Sequence, residues 1–316
     1  MEKKYQDSAA KKLIQQKMKR DKPADRGEGI EKLPPCTSVG ENGQEKRNFM
    51  KPEIKQKFEE ATLRLLRLHY EAHAGHIGGN LSCLDILLVL FHRILTRSDL
   101  FLLSKGHSAG ALYTVLWSIG KMSEEELRTF TQDNTRLGVH PPMNLIPEVV
   151  FGTGSLGHGL SLCTGMALAE KMKGGKGRIF CQSSDGEMQE GSVWEALGFA
   201  AHHRLSNLRL LVDVNGWQGF GETSEVFGTD LKTLGRRIEA FGWEVRYVEN
   251  GHDQDAIEAS LAAEPTKIET PLAILYKTRK GHRVPCFENQ LKSHYLPLST
   301  EQYEEAVKEV KEAYHA

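Results

Sequence analysis

The sequence predicts an α/β fold, a doubly wound and mostly parallel sheet with helices on both faces. Two observations predict it. From Arg178 onward, short runs rich in Leu, Ile and Val alternate with stretches of helical periodicity. Turn-forming Asp-Gly and Asn-Gly pairs follow two of those runs, at strand ends where such sheets bind ligands. The length, 316 residues, suffices for one large domain or two small ones.

Residues 1–48 stand apart from that pattern. They carry Lys3, Lys4, Lys11, Lys12, Lys17, Lys19 and Arg20, then a Gly/Pro/Glu-rich stretch. Little there can be buried, so a partly disordered tail or linker is expected, with the domain occupying 49–316. Ile54, Phe58, Leu63, Leu66 and Leu68 recur at helical spacing and predict a helix to about Ala74. Ser82 and Asp85 are expected to open the next, running through Ile86 to Leu95. Helices are also expected over 108–119 and 123–131, the latter with a capping box at Ser123 and Glu126. A glycine-dense loop, Gly152 to Gly159, precedes another helix to Met172. Strands are expected at Arg178–Ser183, Leu208–Val214, Trp243–Val248 and Leu272–Lys277. Helices fall between them at 192–203, 230–241 and 253–263, and a last helix starts near Ser299.

Bulk composition excludes several function classes. Lys and Arg total 41 against 42 Asp and Glu, which argues against nucleic acid or an anionic membrane as partner. The five cysteines, Cys36, Cys83, Cys163, Cys181 and Cys286, form no CxxC pair and suggest reduced thiols. No apolar stretch reaches the length expected of a membrane span, and the N-terminus has no signal core. Acidic Glu2, Asp7, Asp21 and Asp25 argue against a transit peptide. A cytoplasmic protein is the expectation.

The richest segment is Ser184-Asp185-Gly186-Glu187-Met188-Gln189-Glu190-Gly191, followed thirty positions after Asp185 by Asn215 in Asp213-Val214-Asn215-Gly216-Trp217. Either dipeptide alone is an ordinary turn. Together they put a carboxylate and an amide oxygen at the tips of two strands one strand–helix–strand unit apart. That donor set suits Mg²⁺ or Ca²⁺. Glycine beside the carboxylate lets a phosphate approach the backbone, and amides at a helix start can hold it.

This segment resembles the metal–diphosphate signature of thiamine diphosphate enzymes, with Ser184 where a glycine is expected. Four more segments extend the resemblance to the N-terminal half of transketolases, in family order. They are Gly75-His76-Ile77-Gly78-Gly79, Ser104-Lys105-Gly106-His107, Gly138-Val139-His140-Pro141, and Gly152-Thr153-Gly154-Ser155-Leu156-Gly157-His158-Gly159. Ile77 and His158 replace a family proline and glutamine. The resemblance covers about 52–298 and implies the thiamine diphosphate-binding fold.

It also implies roles. Asp185, Asn215 and the Trp217 carbonyl hold the metal. His107, Gly154, Leu156, Asp185, Gly186, Glu187 and Asn215 contact the cofactor. His76, His107, His140 and His294 line the substrate channel, polarising a carbonyl and moving protons near neutral pH. Glu190 lies at a boundary between chains, where it tunes the cofactor's activating glutamate; its bland alternative is a salt bridge. Lys105 is expected in a surface ion pair, the alternative being a contact with phosphate, and His202 and His203 are expected to be structural.

In the family the activating glutamate sits in a pyrimidine-binding domain that follows the part seen here. The expectation is therefore one subunit of a split, α2β2 transketolase whose partner supplies that domain. The reaction expected moves a two-carbon ketol unit from a ketose, as a sugar phosphate, to an aldose. Subunits of 2-oxo acid dehydrogenases and deoxyxylulose phosphate synthases share the metal motif. Ser-Lys-Gly-His and Gly-Ser-Leu-Gly-His-Gly favour transketolase over the first, and length disfavours the second. A non-catalytic scaffold half would explain Ser184, Ile77 and His158, but not the intact Asp185, Asn215, His76, His107 and His140.

Overall fold

The computed structural model describes residues 52–315, so the expected tail at 1–48 lies outside the described residues. Five parallel strands form the central sheet in the order β1–β2–β3–β7–β6. They are β1 (Leu100–Leu103), β2 (Ile179–Ser184), β3 (Leu208–Val214), β6 (Glu244–Val248) and β7 (Leu272–Lys277). A two-stranded ribbon, β4 (Trp217–Gln218) and β5 (Gly221–Glu222), stands apart from it.

Alternation along the strands divides the core in two. Phe101, Leu103, Phe180, Leu211, Leu272, Ile274 and Tyr276 join one apolar cluster. It is shared with helices α1 (Pro52–Glu71), α2 (Ile77–Val89), α3 (Ala109–Ser118), α9 (Gln254–Ala262) and α11 (Thr300–His315). Leu102, Ile179, Cys181, Leu210, Val212, Ala273 and Leu275 point the other way. They meet α5 (His158–Met172), α6 (Gly191–His202) and α8 (Leu231–Ala240). Helices thus cover both faces, and the doubly wound expectation holds. Short helices α4 (Glu124–Leu127), α7 (Thr223–Phe227) and α10 (Lys292–Tyr295) complete the set.

The differences from expectation have local causes. The second helix begins at Ile77, because His76 takes the left-handed conformation (φ 65°) at its N-cap. Ser82 and Asp85 therefore fall inside the helix, both buried. Its last turn widens into a π-turn, Leu90–Ile94. Ser123 caps α4 by accepting from the Glu126 amide at 3.1 Å, but the helix stops at Leu127. Ile77–Ile94 corrects the expectation about apolar stretches: its 18 residues are apolar enough to cross a membrane by length and composition. Within the fold 78% of that stretch is buried, so its apolarity is that of a core helix.

All five strands run the same way, so their carboxyl ends share one edge. In register, Leu103 pairs with Gln182, Ser184 with Asp213, and Asp213 with Tyr276. The segments leaving β1, β2, β3 and β7 therefore emerge side by side. They are Ser104–His107, Asp185–Glu190, Asn215–Trp217 and Thr278–Lys280.

Candidate active site

These four segments enclose a cavity of about 340 Å³ with the Gly75–Gly79 turn, the Gly152–Gly159 loop and the β4–β5 ribbon. Close backbone approaches fix the loops. A Cβ on Gly106 would lie 2.6 Å from the Gly154 amide nitrogen, so only glycine lets the Ser-Lys-Gly-His turn meet that loop. Thr153 Oγ1 donates to the Leu103 carbonyl at 2.6 Å. Gly154 itself has φ 139°, and a Cβ there would strike the His140 ring.

Asp185 and Asn215 do sit at neighbouring strand tips on the same edge. The Asp185 carboxylate is 1% exposed and accepts from two backbone amides, Gly186 at 3.0 Å and Gly216 at 2.9 Å. No described Lys, Arg or His forms an ion pair with it. Burial, then the neighbouring Asp213 carboxylate, pushes its pKa from 3.8 to about 7. The Asn215 amide is oriented by chemistry. Its Nδ2 donates to Asp213 Oδ2 at 3.1 Å, and a carboxylate only accepts, so Oδ1 must turn the other way. That oxygen accepts from the Trp217 amide at 3.0 Å. Trp217 lines the cavity beside it.

Lys105 departs from its sequence reading. It is fully buried rather than at the surface, with Nζ 2.5 Å from Asp213 Oδ2. Asp213 also accepts from Ser82 at 2.6 Å and from Thr278, and is held below the usual carboxylate range: burial opposes ionisation, but Lys105 and these hydroxyls outweigh it. This pair forms a polar floor directly beneath Asn215.

His76, His107, His140 and His294 all line the cavity. The rings of His76 and His294 lie 4.8 Å apart, those of His76 and His107 5.5 Å, and those of His107 and His294 6.0 Å. Asn80 ties two of these turns together, donating to the His76 and His107 carbonyls at 2.9 and 3.1 Å. Tyr113 holds the third, its hydroxyl donating to the Gly138 and His140 carbonyls at 3.1 and 3.3 Å. Burial, and then Lys280, lowers His294 to about 3. Burial chiefly also lowers His76, and drives His107 far down with Lys105 adding to it.

Sequence reasoning gives Lys280 no role of its own, only a place at the head of the segment that ends at His294. Its ammonium is buried, lines the cavity and lies 3.1 Å from His294 Nδ1. Burial, then repulsion from Lys105, lowers it to about 8. The signal available is its place just past the last core strand, in Thr278-Arg279-Lys280-Gly281. Asn80 and Tyr113 escape as well, because nothing in their spacing marks them.

Other expected residues are placed as follows. Gly154, Leu156, Gly186, Glu187 and Glu190 border the cavity. Glu187 is fully buried and engaged inside the protein, accepting from Ser104 at 2.6 Å, Ser183 at 2.8 Å and the Gly157 amide at 2.9 Å. The helix-start amides are also engaged: Gly186 donates to Asp185, and Glu187 to Ser184 Oγ at 3.4 Å. Donors facing the cavity therefore come mainly from side chains. Glu190 is exposed at the rim and makes no ion pair among the described residues. His158 is exposed and bonds the Ser155 carbonyl at 3.0 Å, away from the cavity lining. His202 is exposed and His203 half-buried at the end of α6, where its ring packs on Phe199 at 4.3 Å.

The donor set fits a divalent ion beside an anion. A buried carboxylate without a cationic partner lies at the strand tip just behind the lining, and an amide oxygen, a buried ammonium and imidazoles belong to the cavity residues themselves. This is an α/β protein with a polar ligand site at the carboxyl edge of a parallel sheet. The family model for "transketolase, thiamine diphosphate binding domain" matches residues 60–315. One subunit of the apulose-4-phosphate transketolase of Phocaeicola vulgatus is 37% identical over 258 residues, 79% of this chain and 90% of that one. The 6-deoxy-6-sulfo-D-fructose transketolase subunit SqwG of a Clostridium species is 35% identical over 245 residues, 75% of this chain and 88% of that one. Transketolase from Leishmania mexicana superposes with a TM-score of 0.75 at 25% identity, covering 83% of this chain and 41% of that one. The chain belongs to the transketolase family, and residues 60–315 form its N-terminal, thiamine diphosphate-binding domain.

Proposed function

We propose that this chain binds thiamine diphosphate and a divalent metal and, with a partner chain, transfers a two-carbon ketol unit from an anionic ketose to an aldose. One observation carries the reading: opposite electrostatic demands at one strand edge, with Asp185 buried just behind the cavity lining and Lys280 and His294 in it. Asp185 is pushed up to about 7, and a cation beside it would restore its charge. Lys280 and His294 are pushed down to about 8 and about 3, and an anion beside them would reverse that. A metal diphosphate meets both demands at once.

Asp185, Asn215 and Trp217 would hold the metal, and Lys280 with His76, His107 and His294 would take the diphosphate and the substrate hydroxyls. Bound thiamine diphosphate supplies a nucleophilic carbon for attack on the ketose carbonyl. His76, His107 and His294 are half-buried, and desolvation favours their neutral imidazole forms, each with one N–H and one lone pair. They can hold hydroxyls and pass a proton without carrying a fixed charge. Gly154 and Leu156 offer backbone to the cofactor ring. Glu190 waits at the rim for a second chain.

The relatives' names support a partner and an anionic ketose. Both are transketolase subunits, and their substrates carry a phosphate or a sulfo group. The chain spans 41% of the solved Leishmania enzyme. The reading assigns the catalytic glutamate and pyrimidine site to a C-terminal subunit, in a cytoplasmic α2β2 assembly. The test mixes the chain with that subunit, Mg²⁺ and thiamine diphosphate, and follows aldose release from ketose phosphates. Turnover is expected only from the complete mixture. Equal turnover by the chain alone, or turnover independent of cofactor, contradicts the proposal.

A further inference from the structure

A buried polar cluster lies outside the cleft, where the loop after β7 meets α2. Asp85 on α2 is 1% exposed and does not line the cavity. Its two oxygens hold different parts of that loop. Oδ2 accepts from His252 Nδ1 at 3.0 Å, and His252 Nε2 accepts from the Arg279 amide at 2.9 Å. A backbone amide only donates, so the imidazole carries its proton on Nδ1 and links the carboxylate to the chain at residue 279. Oδ1 lies 3.6 Å from Arg283 Nη1, and the same guanidinium lies over the Tyr314 ring at 4.7 Å. The His282 ring stacks on His252, with centroids 3.6 Å apart and planes at 20°. One carboxylate thus grips the loop at residue 279 and again at residue 283.

Lys280 sits between the two grips. Its ammonium lines the cleft 3.1 Å from His294 Nδ1, and among the described residues no carboxylate pairs with it. A lysine without an ionic partner is placed by its backbone, because its four-carbon stem is flexible. That backbone is enforced rather than relaxed. Arg283 takes φ 67°, a conformation that a residue with a Cβ disfavours and that persists only where its surroundings impose it. The Gly281 amide donates to the Gly78 carbonyl at 3.0 Å, which ties the same turn to the start of α2 beside His76.

We propose that Asp85 and His252 are positioning residues for Lys280, setting where its ammonium meets the anion in the cleft. The inference rests on the reading of Lys280 as a diphosphate contact. Removing the imidazole frees the Arg279 amide and loosens the ammonium without changing its charge. A cluster that served the fold alone would cost stability when broken and would act independently of Lys280.

A double-mutant cycle separates the two, read by calorimetry of thiamine diphosphate binding to the full chain in saturating Mg²⁺. Lys280→Met should weaken binding on the order of tenfold or more, as loss of a charged contact does. His252→Ala should weaken it roughly three- to tenfold in the wild-type background and add nothing in Lys280→Met. His252→Gln, with an acceptor oxygen at the place of Nε2, should restore most of the affinity. Asp85→Asn keeps an acceptor for His252 and loosens Arg283, so it should show a smaller loss with the same dependence on Lys280. Unchanged affinity in both His252→Ala and Asp85→Asn, or equal losses with and without Lys280, overturns the inference while Lys280 keeps its assignment. Unchanged affinity in Lys280→Met overturns the reading of the cleft and the inference with it.

Discussion

Asp185→Asn removes the charge that the cleft tolerates least. The folded chain holds the Asp185 proton up to about pH 7, whereas an unfolded chain releases it near 3.8. Between those values the folded state binds more protons, so stability falls as pH rises through that window. The displacement is worth roughly 1.4 kcal/mol per pH unit, hence about 4 kcal/mol once the pH exceeds 7. Asparagine escapes this cost. It loses one acceptor oxygen facing the Gly186 or Gly216 amide, a loss of about 1–3 kcal/mol. In EDTA at pH 8 the variant should therefore be the more stable protein by on the order of 1–3 kcal/mol. At pH 5 it should be equal or slightly weaker, because most of the wild-type cost has gone. Urea unfolding at both pH values measures the difference. Mg²⁺ with thiamine diphosphate should then stabilise wild type and not the variant. A stability difference that stays flat between pH 5 and 8 would refute the reasoning, since it would mean the carboxylate is not held protonated by burial.

Two other changes probe the floor and the channel. Lys105→Met strands the Asp213 carboxylate without its buried cation and should cost about 3–5 kcal/mol in urea unfolding. A loss below about 1 kcal/mol would show that Ser82 and Thr278 suffice. His140→Ala should lower kcat and leave the Kd for thiamine diphosphate unchanged by calorimetry. Unaltered kinetics would remove His140 from the substrate channel.

Much of the fold is legible in the sequence because strand cores are apolar on both faces: Leu208–Val214 and Leu272–Lys277 fall where composition puts them. The start of α2 is hidden, because a histidine at φ 65° caps it and no spacing announces that backbone. The β4–β5 ribbon has two residues per strand, too few to show a pattern. In the site, Asp185, Asn215 and three of the four histidines are legible because glycine or proline marks their turns; His294 rests on its place in the family pattern. Lys105 is misleading in the sequence because lysines are rarely buried, and only the position of Asp213 across the sheet reveals its partner. Lys280 and Asn80 act through what they reach in three dimensions, the first at His294 and the second at two histidine carbonyls. Linear order carries no trace of such contacts.

Replacing Mg²⁺ by Mn²⁺ in crystals grown with thiamine diphosphate, and recording an anomalous difference map, confronts the metal–diphosphate assignment directly. The account predicts a manganese peak within about 2.2 Å of both Asp185 and Asn215 oxygens, with the diphosphate between it and Lys280. A diphosphate lying in the cleft with no peak at those two strand tips would contradict it.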